Sequence, residues 1–152
     1  MPSKTLTRTV GLAIALTAAA SALTIAPAQA AGSVHLTEIY YNSPGSDTRS
    51  NASLNAEWVR IANTTSAAVN LKGWVLVDAS NHKYTFPSYS LGKGKTVTIH
   101  TGKGTNTAAN RYQGRAAYVW NNDKDKATVK RASGAVQDTC SYNNAHKAYV
   151  LC

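Results

Sequence analysis

Two cysteines, Cys140 and Cys152, are all the chain has, and its four histidines, His35, His82, His100 and His146, stand at no metal-ligand spacing. A structural zinc site needs more of both at short intervals, so none is expected. Acids are also scarce, seven against sixteen Lys and Arg. After Asp125 the chain runs "KATVKRASG" with no carboxylate, so the closing bidentate acid of a calcium loop is missing. No Gly-x-Ser-x-Gly elbow occurs and Cys140 is expected to be oxidised, so no nucleophile announces itself. Beyond residue 30 no long apolar run and no 3.6-residue apolar period is found, which argues against a second membrane-length segment and against helices.

What the chain does have begins with an address. Lys4 and Arg8 precede an apolar run from Val10 to about Ala26, and "APAQAAG" follows with small residues at Ala28 and Ala30. This is the order of a secretory signal, with cleavage expected between Ala30 and Ala31. The run is short for a membrane anchor and is broken by Thr17, Ser21 and Thr24. Its alanine richness looks bacterial. The expectation is a signal peptide at 1–30 and a secreted, extracellular domain at 31–152, without a transmembrane anchor. In that compartment Cys140 and Cys152 read as one disulfide closing a short loop at the C-terminus. Asn51-Ala52-Ser53 and Asn63-Thr64-Thr65 match the glycosylation pattern but are expected to stay unmodified in a bacterial protein.

From Ser33 onward short β-branched and aromatic runs alternate with polar turns. "SVHLTEIYY", "AEWVRIAN", "VNLKGWVLVD", "HKYTF", "TVTIH", "AAYVW", "ATVKR", "AVQDTC" and "KAYVL" are the candidate strands. In "AEWVRIAN" Val59 and Ile61 share one face, Trp58 and Arg60 the other. Gly73 inside "LKGWVL" suggests a bulge or a close backbone approach. Seven to nine short strands at this spacing indicate an all-β sandwich or barrel.

Taken in order, "EIYYN", "EWVRIANTT", "VNLKGWVLVD", "YTFPSYSLGKGKTVTIHTG", "WNNDKDKATVK" and "SGAVQDTCSY" resemble the lamin tail domain in its bacterial secreted form. Trp58, Gly73, Trp74, Trp120, Asn121 and Asn122 carry the most specific parts of the likeness. The resemblance implies an immunoglobulin-like β-sandwich and a binding module, whose nuclear relatives have DNA and envelope proteins among their partners. It brings no catalytic residue and no cofactor. Lys124 departs from the pattern, where bacterial members often have glycine.

The segment "WNNDKDKATVK" reads as a β-hairpin tip, since Asn and Asp tolerate turn geometry and bond to their own backbone. Trp120 is expected in the core beside Val129, and loop parity decides it. An even loop, Asp123–Lys124 or Asn122 to Asp125, pairs Trp120 with Ala127 and leaves Lys126, Thr128 and Lys130 facing solvent. An odd loop, Asp123 to Asp125, would put Trp120 and Tyr118 on the lysine face. "GKGKT" at 92–96 lacks the first glycine of a phosphate loop, that position being Tyr89, so Gly92 and Gly94 read as turn residues with positive φ. The tryptophans are expected mainly in the core. Without Lys4 and Arg8, fourteen basic residues remain against seven acids, an excess of seven. Lys124, Lys126, Lys130 and Arg131 are the candidate contacts for polyanions such as extracellular DNA or an anionic wall polymer. The expected function is a non-catalytic interaction or structural module with a protein or cell-envelope partner. A weak polyanion binder is the first alternative, and a secreted hydrolase the second.

Overall fold

The computed structural model describes residues 32–152, so the expected signal segment and its expected Ala30–Ala31 junction lie outside the described residues. Eleven short strands and one helical turn occur there, more strands than the seven to nine expected. β1 (Val34–Tyr40), β2 (Trp58–Asn63), β7 (Thr96–His100), β8 (Asn110–Tyr112) and β11 (Tyr149–Leu151) form one sheet in the order β11-β1-β2-β7-β8. β4 (Val75–Val77), β5 (Lys83–Thr85), β9 (Lys124–Lys130) and β10 (Val136–Asn143) form the second, ordered β10-β9-β4-β5. β3 (Val69–Asn70) and β6 (Ser90–Leu91) make a two-stranded ribbon. Every pairing is antiparallel except β7 with β8.

Alternation decides what enters the core. Val59 and Ile61 of β2 and Val97 and Ile99 of β7 are fully buried, whereas Trp58, Arg60, Thr98 and His100 turn outward. Leu76, Ala127, Val129, Cys140 and Tyr142 meet them from the second sheet in one cluster that includes Leu36, Phe86 and Trp120. The result is a sandwich of two sheets around a shared apolar layer, as inward-facing alternate residues dictate.

Three turns bear out the sequence reading in part and correct it in part. Gly73 stands in a turn before β4 with φ 78°, its N–H donating to Phe86 O at 2.9 Å. A Cβ there would sit 3.2 Å from Ala132 Cβ, so the close approach is real although no strand bulges at this point. Gly94 has φ 66°, as expected; Gly92 does not share the left-handed conformation. The polar stretch before β2 holds a helical turn, α1 (Asn51–Asn55), capped by Ser50, whose Oγ accepts from Ser53 N at 3.2 Å. Five residues are too few to show an apolar period, so local capping is the only signal it leaves.

The disulfide joins Cys140 of β10 to Cys152, with Cα atoms 5.7 Å apart. It ties the two sheets together at one edge, because β11 pairs with β1 and Cys152 N donates to Thr37 O at 2.9 Å. Reducing it is expected to lower stability by about 3 kcal/mol in the loop-entropy picture. Urea unfolding with and without reductant measures this. Stoichiometric free thiol in the native protein would refute the pairing.

Candidate functional site: the lysine face and the segment before it

Residues 120–130 are not a hairpin. "AAYVW" forms no strand, and β9 begins at Lys124, pairing with β10 on one side and β4 on the other. Both Asp123–Lys124 and Asp123–Asp125 therefore fail as loops. The reason lies in two carboxylates that take the backbone groups a hairpin would have paired. Val119 N donates to Glu57 Oε1 at 2.9 Å, and Asn121 N donates to Asp125 Oδ2 at 3.2 Å. Asp125 is buried and also accepts from Ala79 N at 3.0 Å and Lys126 N at 2.7 Å, fastening the loop after β4 to the start of β9.

Trp120 is in the core nonetheless, 2 % exposed and in the same buried cluster as Val129. It does not pair with Ala127, whose partner is Cys140. The other family-signature residues are structural here too. Asn121 O accepts from the Tyr142 hydroxyl at 2.6 Å, and Asn122 Nδ2 donates to Asp47 at 3.0 Å. Trp74 leans on the core half-buried, while Trp58 faces outward and so departs from the expected core role.

Glu57 had no signal in sequence beyond its place at the head of a strand. Its side chain is wholly buried, accepting from Thr101 Oγ1 at 2.6 Å and from Val119 N, while Oε2 has no partner among the described residues. Burial pushes its pKa up to about 7, although those hydrogen bonds pull the other way. Its surroundings are packed and lined by no nucleophile, so the carboxyl acts as a clamp between β2, the loop after β7 and the 118–120 segment.

The lysines do come together. On β9 the outward positions are Lys124, Lys126, Thr128 and Lys130, opposite Asn143, Ser141, Thr139 and Val136 of β10. Thr128 is buried beneath its neighbours rather than solvent-facing, because strands flank it on both sides. Lys83, which sequence reasoning missed, joins the face through its pairing with Val77, itself opposite Thr128. No acid stands at the outward positions of these four strands; Asp125 and Asp138 alternate inward and bond backbone amides. Arg131 is separated from the lysines. It lies beyond the strand end, its Nε donates to Gln137 at 2.6 Å, and with Trp74 and Val69 it lines a groove of about 300 Å³ at the sandwich edge.

No group of three or more His, Cys, Asp or Glu is placed to hold a metal among the described residues, and no helix there is long and apolar enough to cross a membrane. Asn63 spends its amide nitrogen on Ala67, Leu91 and Gly92 carbonyls and is fully buried, leaving nothing for a glycan.

The sequence model of the Lamin Tail Domain matches residues 27–144, most of the chain. The chain belongs to the lamin tail domain family. Its sandwich is the immunoglobulin-like fold of that family, an interaction and structural module. Comparison with curated proteins gives no match.

Proposed function

We propose that this lamin tail domain is exported and works outside the cell as a non-catalytic interaction module that holds polyanions weakly and without sequence preference. The N-terminal segment supports export. What carries the binding reading is the lysine face: Lys83, Lys124, Lys126 and Lys130 stand among Thr and Ser side chains with no acid between them. Lys126 and Lys130, four positions apart, are separated by about 13 Å along the strand. Ammonium groups so placed reach successive phosphates or wall-polymer anions but have no fork geometry for reading bases.

Counterion release then sets the salt law. Affinity falls by about 0.9 log units per tenfold rise in salt for each phosphate contacted, from dissociation constants of roughly 10⁻⁴ to 10⁻⁶ M near physiological salt. Fluorescence anisotropy with random duplex DNA and an anionic wall polymer, across several salt concentrations, tests this. Changing Lys126 and Lys130 together to Glu is expected to weaken both ligands alike and to flatten the salt slope. No binding at low salt would leave the charge as a solubility device and point to a protein partner.

A further inference from the structure

The opposite face of the sandwich carries a different chemistry. Register sets Tyr149, Tyr40, Trp58, His100 and Tyr112 side by side, one from each strand of the five-stranded sheet. At roughly 4.8 Å per strand, this outward row is about 19 Å long. Its rings run nearly parallel: Tyr40 and Tyr149 at 6.0 Å and 10°, Tyr40 and Trp58 at 5.5 Å and 24°, His100 and Tyr112 at 4.9 Å and 18°. The buried Tyr41–Tyr142 pair, by contrast, stacks at 3.8 Å. At such separations the rings are offset rather than fully overlapped, and Tyr40, Trp58, His100 and Tyr112 are each partly exposed. Tyr149 is 46 % exposed.

The row is also fixed in place. The Arg60 guanidinium lies 4.5 Å over the Trp58 ring and donates to Glu38 at 2.8 Å. His100 is held at both nitrogens, by Asn55 O at 2.8 Å and Asn110 Oδ1 at 3.0 Å. Gly104 lies flat on Tyr112, where a Cβ would come within 2.4 Å of the ring. A surface ordered before binding gives up little entropy when a ligand arrives.

Charge decides the occupant. The adjoining row across the same strands holds Glu38, Arg60, Thr98 and Asn110, one acid and one base already paired. A phosphate polymer has little to neutralise here, whereas the lysine face offers it several free cations. An uncharged sugar chain suits this face. Pyranose C–H groups lie on aromatic rings, and sugar hydroxyls exchange hydrogen bonds with carboxylate, guanidinium, hydroxyl and amide neighbours. At its Tyr149 end the row opens onto a groove of about 640 Å³ between β10 and β11, also lined by Tyr41, Tyr142, Asn144 and Val150, with Lys147 as its single charged residue. A chain laid along the row has room to continue there, while Gly104 closes the other end.

We propose that the outward face of the five-stranded sheet binds an uncharged polysaccharide laid across the strands along this aromatic row. The test is retardation in native gels, with calorimetric titration, using hydroxyethylcellulose, glucomannan, xylan, β-1,3-glucan and chitin oligosaccharides, and single-stranded oligothymidine as the charged stacking probe. At least one neutral glycan is expected to bind with little dependence on salt. Tyr149→Ala and Trp58→Ala should each weaken it about tenfold or more, and the Lys126/Lys130 double change to Glu should leave it untouched. Where Trp58→Ala fails to fold, Trp58→Phe and Tyr149→Ala carry the test. Failure of every glycan in the set overturns the proposal. So does a result in which Tyr149→Ala removes oligothymidine binding alone, which would assign the row to nucleic acid.

Discussion

Replacing Trp120 by Ala is expected to destabilise the protein by about 3–5 kcal/mol, the range for emptying a large aromatic from a closed core. Trp120 is 2 % exposed and sits where the 118–120 segment seals one end of the sandwich. Its indole Nε1 has no hydrogen-bond partner among the described residues. That N–H carries a desolvation cost of its own, so Trp120→Phe should lose clearly less than Trp120→Ala. Trp58→Ala is the matched control. It removes an equally large ring from a half-exposed row and should cost about 1 kcal/mol, through the lost stack on Tyr40 and the lost contact with Arg60. Equilibrium urea unfolding of the three variants, compared at constant m-value, orders them. A Trp120→Ala loss no larger than that of Trp58→Ala would remove Trp120 from the core.

Much of the sandwich is legible where alternation is strong. Val59 and Ile61, or Val97 and Ile99, announce a half-buried strand without help from any neighbour. The Cys140–Cys152 bond follows from having only two cysteines in a chain that begins with an export-like segment. The 120–130 segment misled because Asn and Asp carry turn propensity whatever they bond to. Asp125 spends its carboxylate on amides 46 and 4 residues away, a tertiary choice invisible in the local string. β8 escaped notice because "NRY" is short and polar; it exists through its parallel pairing with β7.

The candidate sites divide the same way. Lys124, Lys126 and Lys130 share a face by parity along one strand, so sequence reaches them. Lys83 and the aromatic row depend on which strands lie side by side and in what register. Tyr40, Trp58 and Tyr112 are scattered through the chain and become neighbours only after the sheet forms. Gly104 shows its reason only once Tyr112 is seen against it.

Stability should fall as pH rises through neutrality, and Glu57 is the expected cause. Its carboxyl is wholly buried, and burial lifts its pKa from 4.5 to about 7 in the fold; Asp47 adds a small push in the same direction. The hydrogen bonds from Thr101, Val119 and Trp120 favour the ionised form but do not offset the loss of water. Between those two pH values the folded state holds a proton that the unfolded chain has released. The stabilisation is therefore complete below about pH 4.5 and is lost as pH climbs through 7. At roughly 1.4 kcal/mol per pH unit across that window, the full swing is about 3 kcal/mol. Glu57→Gln separates this group from everything else that titrates there. Glutamine keeps an oxygen for Thr101 and Val119 and places its amide where Oε2 now lacks a partner. The variant should match the parent to within about 1 kcal/mol under mildly acidic conditions. In mildly alkaline buffer it should be the more stable of the two. Urea midpoints for both proteins across the pH range decide the matter, and curves that stay parallel throughout would show that Glu57 ionises as freely in the fold as in the open chain.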